Sequence, residues 1–127
     1  MVAFNVPVFG GQRMPSLAMP LLYAAHDDLK RGHEIAAAAK VRVALCRYLT
    51  ALCELHNCLP RRRHTASRLM RALQRAGCDG CFEYLEEIIE SCDAVLRCEK
   101  PGCSIKACVE IAADLIDTRI DERDGDP

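Results

Sequence analysis

The cysteines are the residues of this chain best suited to chemistry. There are nine of them in 127 residues, and four have the spacing of metal ligands. Cys78 and Cys81 form a C-x2-C pair, and Cys98 and Cys103 form a C-x4-C pair after an interval of sixteen residues. Four thiolates with such spacing neutralise a soft dication and fix two chain segments around it. The sequence therefore predicts a zinc site made of Cys78, Cys81, Cys98 and Cys103.

A second set of ligands competes with the first, because the residues between the two cysteine pairs have the apolar spacing of a helix. An unbroken helix over 82–97 would be about 24 Å long, whereas two thiolates on one zinc ion lie only about 4 Å apart. In an up-and-down bundle, the end of the helix before Pro60 would meet the turn between the last two helices. The rival ligands are Cys58, Cys98 and Cys103 together with His56 or Cys53. The sequence leaves the choice between the two sets open.

Three further cysteines follow apolar stripes of the predicted helices. Cys46, Cys92 and Cys108 recur with leucine, isoleucine and valine at spacings of three and four residues. A thiol at such a position behaves as a small hydrophobic side chain. We therefore expect these three cysteines in the core and not at a metal ion.

Arginines are the second group of residues with an evident chemistry. Every positively charged residue from Arg42 to Arg75 is an arginine, and Glu54 is the only acidic residue in that stretch. The planar guanidinium group forks onto phosphate oxygens, so arginine is favoured over lysine in phosphate and nucleic-acid sites. The candidate contacts are three consecutive arginines in a loop and three at helical spacing after it, namely Arg61, Arg62, Arg63, Arg68, Arg71 and Arg75.

The helical arginines are expected on the face opposite Leu69 and Leu73. Because the predicted arginine helix contains no aromatic residue, stacking of bases on its side chains is not expected. The pattern predicts binding to the phosphates of RNA or DNA with little dependence on nucleotide sequence. The alternative is that these arginines form ion pairs with the glutamates of the following helix, in which case their role is structural.

The two halves of the chain carry opposite charge. Residues 1–78 hold 12 Lys and Arg against 4 Asp and Glu, a net charge of +8. Residues 79–127 hold 5 against 14, a net charge of −9, so the whole chain carries only −1. Such a dipolar protein is suited to a polyanion on its basic surface, while the acidic surface is solvated or contacts another partner. Ion pairs between the two halves of a bundle would also account for this distribution.

Apolar residues recur at spacings of three and four along most of the chain, which predicts helices. The expected helices cover 21–30, 33–56, 65–76 and 82–97, and a last helix follows a cap at Ser104. Gly32 and Gly77 lie just past two helix ends, where glycine is the usual residue. The long second helix is apolar on more than one side, which predicts a central position or a dimer contact. The expected fold class is all-α, a compact bundle of four to five helices with a cysteine-based metal site.

The domain organisation is simple, because 127 residues are the length of one domain. Residues 1–20 contain three of the six prolines and are expected to form an extended N-terminal arm. The single helical domain is expected over 21–120, and an acidic tail over 121–127. Without an apolar segment of membrane-spanning length or a secretion signal, the chain is expected to be intracellular. Without a nucleophile motif, a zinc-protease motif or a phosphate-binding glycine loop, we expect no enzyme.

The order of these motifs resembles that of the small cysteine-rich nucleic-acid-binding proteins of filamentous plant RNA viruses, such as carlaviruses and allexiviruses. There too an apolar helical segment is followed by an arginine run, a C-x2-C pair and a C-x4-C pair. The resemblance covers roughly 40–105, although the spacer between the pairs is longer and helical here and an acidic helix follows. It implies zinc-dependent nucleic-acid binding and a role as a virulence factor that suppresses RNA silencing or modulates host transcription, in the host cytoplasm or nucleus. The arginine triplet would also serve as a nuclear-import signal.

A different class of function also fits the sequence. The apolar second helix and the acidic C-terminal half would suit a helical protein–protein adaptor or a self-associating scaffold. Its partners would be host proteins or a second copy of the chain, forming a homodimer. Salt-dependent binding of RNA distinguishes the two classes, because an adaptor does not need phosphate contacts.

Overall fold

A computed structural model describes residues 13–78 and 82–124, and their side chains over 18–78 and 82–116. The described residues form five helices and no strand, packed as a compact bundle. The helices are α1 (Arg13–Lys30), α2 (Glu34–Leu55), α3 (Ala66–Arg75), α4 (Phe82–Leu96) and α5 (Ile105–Asp124). The predicted all-α class and helical bundle are confirmed. None of the described helices is long and apolar enough to cross a membrane.

Helix α2 is the centre of the bundle, because it packs against each of the other four helices. Val41, Leu45 and Leu49 are fully buried along its length. Ile35, which the apolar spacing placed on the same stripe, is instead 54% exposed. It lies in the first turn of α2, before the buried part of the helix begins. The central position predicted for this helix is therefore confirmed, and its buried residues begin about one turn after its first residue.

Four helices end in the same backbone arrangement. The second residue past each helix has positive φ, at Gly32 (81°), Asn57 (54°), Gly77 (81°) and Cys98 (61°). In each case the next N–H donates to the carbonyl five residues earlier, over 2.7–3.0 Å. This Schellman motif satisfies carbonyls that the helix leaves without partners. The two glycines were predicted at these positions, whereas Asn57 and Cys98 adopt the same conformation with a side chain.

The N-terminal helix is longer than the sequence indicates. Helix α1 begins at Arg13, so 13–20 are helical, and residues 1–12 of the predicted arm lie outside the described residues. Pro15 lies in the first turn, where a proline removes no needed hydrogen bond, but Pro20 lies inside the helix. An interior proline costs about 3 kcal/mol, which burial of the small α1 face against α2 and α5 offsets. That face includes Ala18, Leu22 and Ala25, all essentially inaccessible to solvent.

At the other end of the chain, α5 continues to Asp124. The predicted acidic tail therefore begins within this helix, and 125–127 lie outside the described residues. Ser104 caps α5 as predicted, since its side-chain oxygen accepts a hydrogen bond from the N–H of Ala107 at 3.2 Å.

Candidate nucleic-acid interface and thiol groups

The short helix α3 positions three of the candidate arginines. Thr65 caps its N-terminus, since its side chain accepts a hydrogen bond from the N–H of Arg68 at 3.3 Å. Leu69 and Leu73 are completely buried, so this face fixes the orientation of α3 against the core. Arg68, Arg71 and Arg75 consequently lie exposed on the opposite face, as the spacing predicts.

These three arginines line an open groove of about 560 Å3. The remaining lining residues are Cys58, Pro60, Ala72 and Ala76. The groove is thus lined by three arginines together with small and apolar side chains. Arg68 and Arg75 are two turns apart, about 10 Å along the helix axis. The arrangement concentrates positive charge along a channel that a phosphate backbone could follow.

The arginine triplet occupies a different place. Arg61, Arg62 and Arg63 are exposed on the loop between α2 and α3, next to the groove residue Pro60. The loop is closed by a hydrogen bond of 2.8 Å between the Nε2 of His64 and the carbonyl of Pro60. The six predicted contact residues are therefore divided into three along the groove and three on the adjoining loop.

Ion pairing does not engage these arginines within the described residues. The ion pairs there join Lys40 to Asp28, Arg42 to Asp93 and Arg97 to Glu99, and none includes an arginine of the loop or of α3. Glu86 and Glu90 of α4 line a smaller cavity of about 220 Å3 together with Ser67 and Met70. The glutamates of α4 thus meet the side of α3 that carries Ser67 and Met70. The arginines of α3 line the groove beside Cys58 and Pro60 instead.

The first group of cysteines lies where α2 and α3 end, and we call Cys53, His56, Cys58 and Cys78 the thiol cluster. The Sγ of Cys78 is 3.8 Å from the Nε2 of His56. The thiol of Cys53 donates to the carbonyl of Leu69 at 3.4 Å, and the N–H of Cys58 donates to the carbonyl of Cys53 at 2.9 Å. Burial, and after it the neighbouring Cys58, raises the pKa of Cys53 to about 12. This thiol is therefore protonated at neutral pH.

A second group of cysteines lies between α4 and α5. Cys92 and Cys108 are completely buried, as expected from their stripes, whereas Cys46 is half-buried. A hydrogen bond with Cys92, and then burial, raises the pKa of Cys108. The N–H of Cys103 donates to the side-chain oxygen of Ser91 at 3.1 Å, which ties the start of α5 to α4. These thiols act as packing groups of the core.

Neither of the two predicted sets of zinc ligands lies within one of these groups of cysteines. Helix α4 is continuous over 15 residues, about 22 Å, with Cys78 before its start and Cys98 and Cys103 after its end. Cys81 lies outside the described residues. No three potential ligands in the described part of the chain are already arranged around one point. The structure thus shows two groups of thiols rather than a formed metal centre.

The rival set is divided because the end of α3 lies beside the end of α2. The thiol of Cys53 donates to the carbonyl of Leu69 in α3, and His56, just past the end of α2, contacts Cys78, which follows the end of α3. The up-and-down order expected from the sequence placed the last turn of the bundle, with Cys103, at that position. One sequence signal could have predicted that Cys58 and Cys78 occupy equivalent positions at two helix ends. Cys58 directly follows Asn57 and Cys78 directly follows Gly77, and Asn and Gly are the usual residues at helix ends.

Cys98 offers a test of its role. Because its φ is 61°, a conformation that costs an L residue about 1–2 kcal/mol, Cys98→Gly is expected to stabilise the bundle by about 0.5–1 kcal/mol. Urea unfolding with and without added zinc measures the change. Destabilisation that appears only with zinc would assign Cys98 to a metal site instead.

The chain was also compared with known proteins. It matches no family model, no curated protein and no solved structure. Its function must therefore be argued from the groove, the loop and the two groups of thiols themselves.

Proposed function

We propose that this chain binds RNA through its phosphates, along the groove of α3 and the adjoining arginine loop. The observation that carries the proposal is the row of Arg68, Arg71 and Arg75 in one groove without a carboxylate partner among the described residues. An exposed guanidinium group that is not used in an ion pair remains available to a phosphate, which it binds with two parallel hydrogen bonds.

The lining of the groove also indicates how selective this binding is. None of the described lining residues is aromatic, so bases have no ring on which to stack. Phosphate contacts fix the position of a nucleic acid but do not read its sequence. We therefore expect binding that depends strongly on salt and weakly on nucleotide sequence. The net charge of +8 on residues 1–78 supports the same expectation by attracting a polyanion from a distance.

The biological role that we propose is that of a small cysteine-rich virulence factor of a plant RNA virus, acting as a suppressor of host RNA silencing. Its support is the order of motifs in the sequence, in which the apolar helix is followed by the arginine run and then by the two cysteine pairs. Binding of RNA without regard to its sequence would suit such a role.

The proposal is tested with fluorescein-labelled single-stranded RNA of mixed sequence and with homopolymers, by fluorescence anisotropy at several salt concentrations. Four to six phosphate contacts predict a plot of log K against log salt with a slope of about −3 to −4. Affinities for the different RNAs should agree within a few fold. A folded protein that shows no binding, or a slope near zero, would contradict the proposal and favour the helical adaptor.

A further inference from the structure

The thiol cluster joins two helix ends through cysteines whose positions are set by the backbone. The N–H of Cys58 donates to the carbonyl of Cys53 at 2.9 Å, and the N–H of Cys78 donates to the carbonyl of Leu73 at 3.0 Å. In this motif the residue that follows the positive-φ position packs back against the last turn of the helix. Each helix therefore presents one cysteine at its end, and Cys53 of α2 lies beneath them, completely buried.

One distance in the thiol cluster approaches that between two ligands of a tetrahedral metal site. With Zn–S near 2.3 Å and Zn–N near 2.0 Å, a sulfur and a nitrogen ligand of one zinc ion lie about 3.6 Å apart. The Sγ of Cys78 and the Nε2 of His56 are 3.8 Å apart. Cys58 lies next to Cys53, because its N–H donates to the carbonyl of Cys53 at 2.9 Å. The four side chains in the described part of the chain are not already arranged around one point, so binding of one ion requires rotation of the cysteine side chains.

We propose that Cys53, His56, Cys58 and Cys78 bind one thiophilic dication, zinc in the cell. Three thiolates and one imidazole are a set that structural zinc sites use, and sulfur ligands disfavour magnesium and calcium. On binding, the three thiols release their protons, and neutral His56 coordinates through Nε2. The ion then connects the end of α2 to the end of α3. Binding of the metal does not depend on whether the chain binds RNA.

The test uses the full chain, reduced and freed of metal with a chelator, titrated with Co2+ in the absence of oxygen. We expect one equivalent of tetrahedral Co2+, detected by thiolate-to-cobalt charge-transfer absorption and intense visible bands, and displaced by Zn2+. Cys58→Ser and Cys78→Ser should each weaken Co2+ binding by at least about 100-fold, since loss of an outer-shell partner alone costs 10–100-fold. Cys98→Ser and Cys103→Ser are the matched controls, and they should leave the affinity for Co2+ unchanged.

Circular dichroism of each variant without metal separates loss of a ligand from loss of the fold. His56→Gln provides a further variant, because His56 is exposed and its replacement removes a ligand without opening the core. This variant should weaken Co2+ binding while the helices remain. The proposal is overturned if folded wild-type protein binds less than half an equivalent of Co2+. It is also overturned if Cys98→Ser and Cys103→Ser lose the ion while Cys58→Ser and Cys78→Ser retain it.

Discussion

Replacing Arg68, Arg71 and Arg75 together with glutamine is expected to weaken binding of single-stranded RNA by about 100-fold. Three charge-assisted contacts worth about 1 kcal/mol each account for this loss. The slope of log K against log salt should become shallower by about two, because each phosphate contact contributes about 0.7 for a single strand. The helix should persist, since glutamine is a good helix former and the three positions are exposed. Fluorescence anisotropy at several salt concentrations measures both quantities.

The matched control for this prediction replaces Lys30, Arg31 and Lys106 with glutamine. These side chains are exposed, belong to none of the described ion pairs and do not line the groove. The control removes the same three positive charges, so it reports the effect of net charge alone. An equal loss of affinity in both triple variants would show that the groove has no special part in binding. A lowered melting temperature with unchanged affinity for RNA would show that the α3 arginines are structural.

The substitution Leu45→Ala is expected to destabilise the bundle by about 3–5 kcal/mol. Leu45 is completely buried in α2, the helix that packs against all four others, so the cavity left by its side chain cannot close by a shift of one neighbour. A domain of this size has about 5–15 kcal/mol of stability in total, so the loss would be a large part of it. The melting temperature should fall by roughly 10–20 °C, as followed by circular dichroism at the helical minimum.

Val43→Ala in the same helix is the control for the core. Val43 lies two residues before Leu45 but is 44% exposed, so its truncation removes fewer buried contacts. The expected destabilisation is about 1 kcal/mol or less. A loss comparable to that of Leu45→Ala would indicate that the exposed side of α2 is covered in solution by another molecule, such as a second copy of the chain.

The positions of the helices followed from the sequence because the forces that define them are local. Apolar spacing predicted α2, α3, α4 and the start of α5 to within about two residues of their observed ends. Gly32 and Gly77 marked two helix ends, since glycine adopts positive φ without steric cost. The face that carries the α3 arginines was predictable for the same reason, because the burial of Leu69 and Leu73 determines which side of a helix remains exposed.

The extended conformation predicted for the N-terminal segment was wrong for residues 13–20. Pro15 and Pro20 suggested an extended arm up to residue 20, but α1 begins at Arg13. Propensity disfavours a proline inside a helix, and in a short isolated segment that cost would decide the conformation. In the folded chain, the packing of α1 against α2 and α5 adds buried surface that the sequence around Pro20 does not reveal.

Only the tertiary structure decided which cysteines lie together. From the sequence, either Cys78 or Cys58 was expected to bind the same zinc ion as Cys98 and Cys103. The structure places Cys78 beside His56, Cys58 beside Cys53 and Cys103 beside Cys108. The physical reason is that burial of Leu69 and Leu73 in a core shared by distant segments packs α3 against α2, with the ends of the two helices side by side. Spacing along the chain determined which residues could act as ligands and contacts, whereas packing of the helices determined which of them meet.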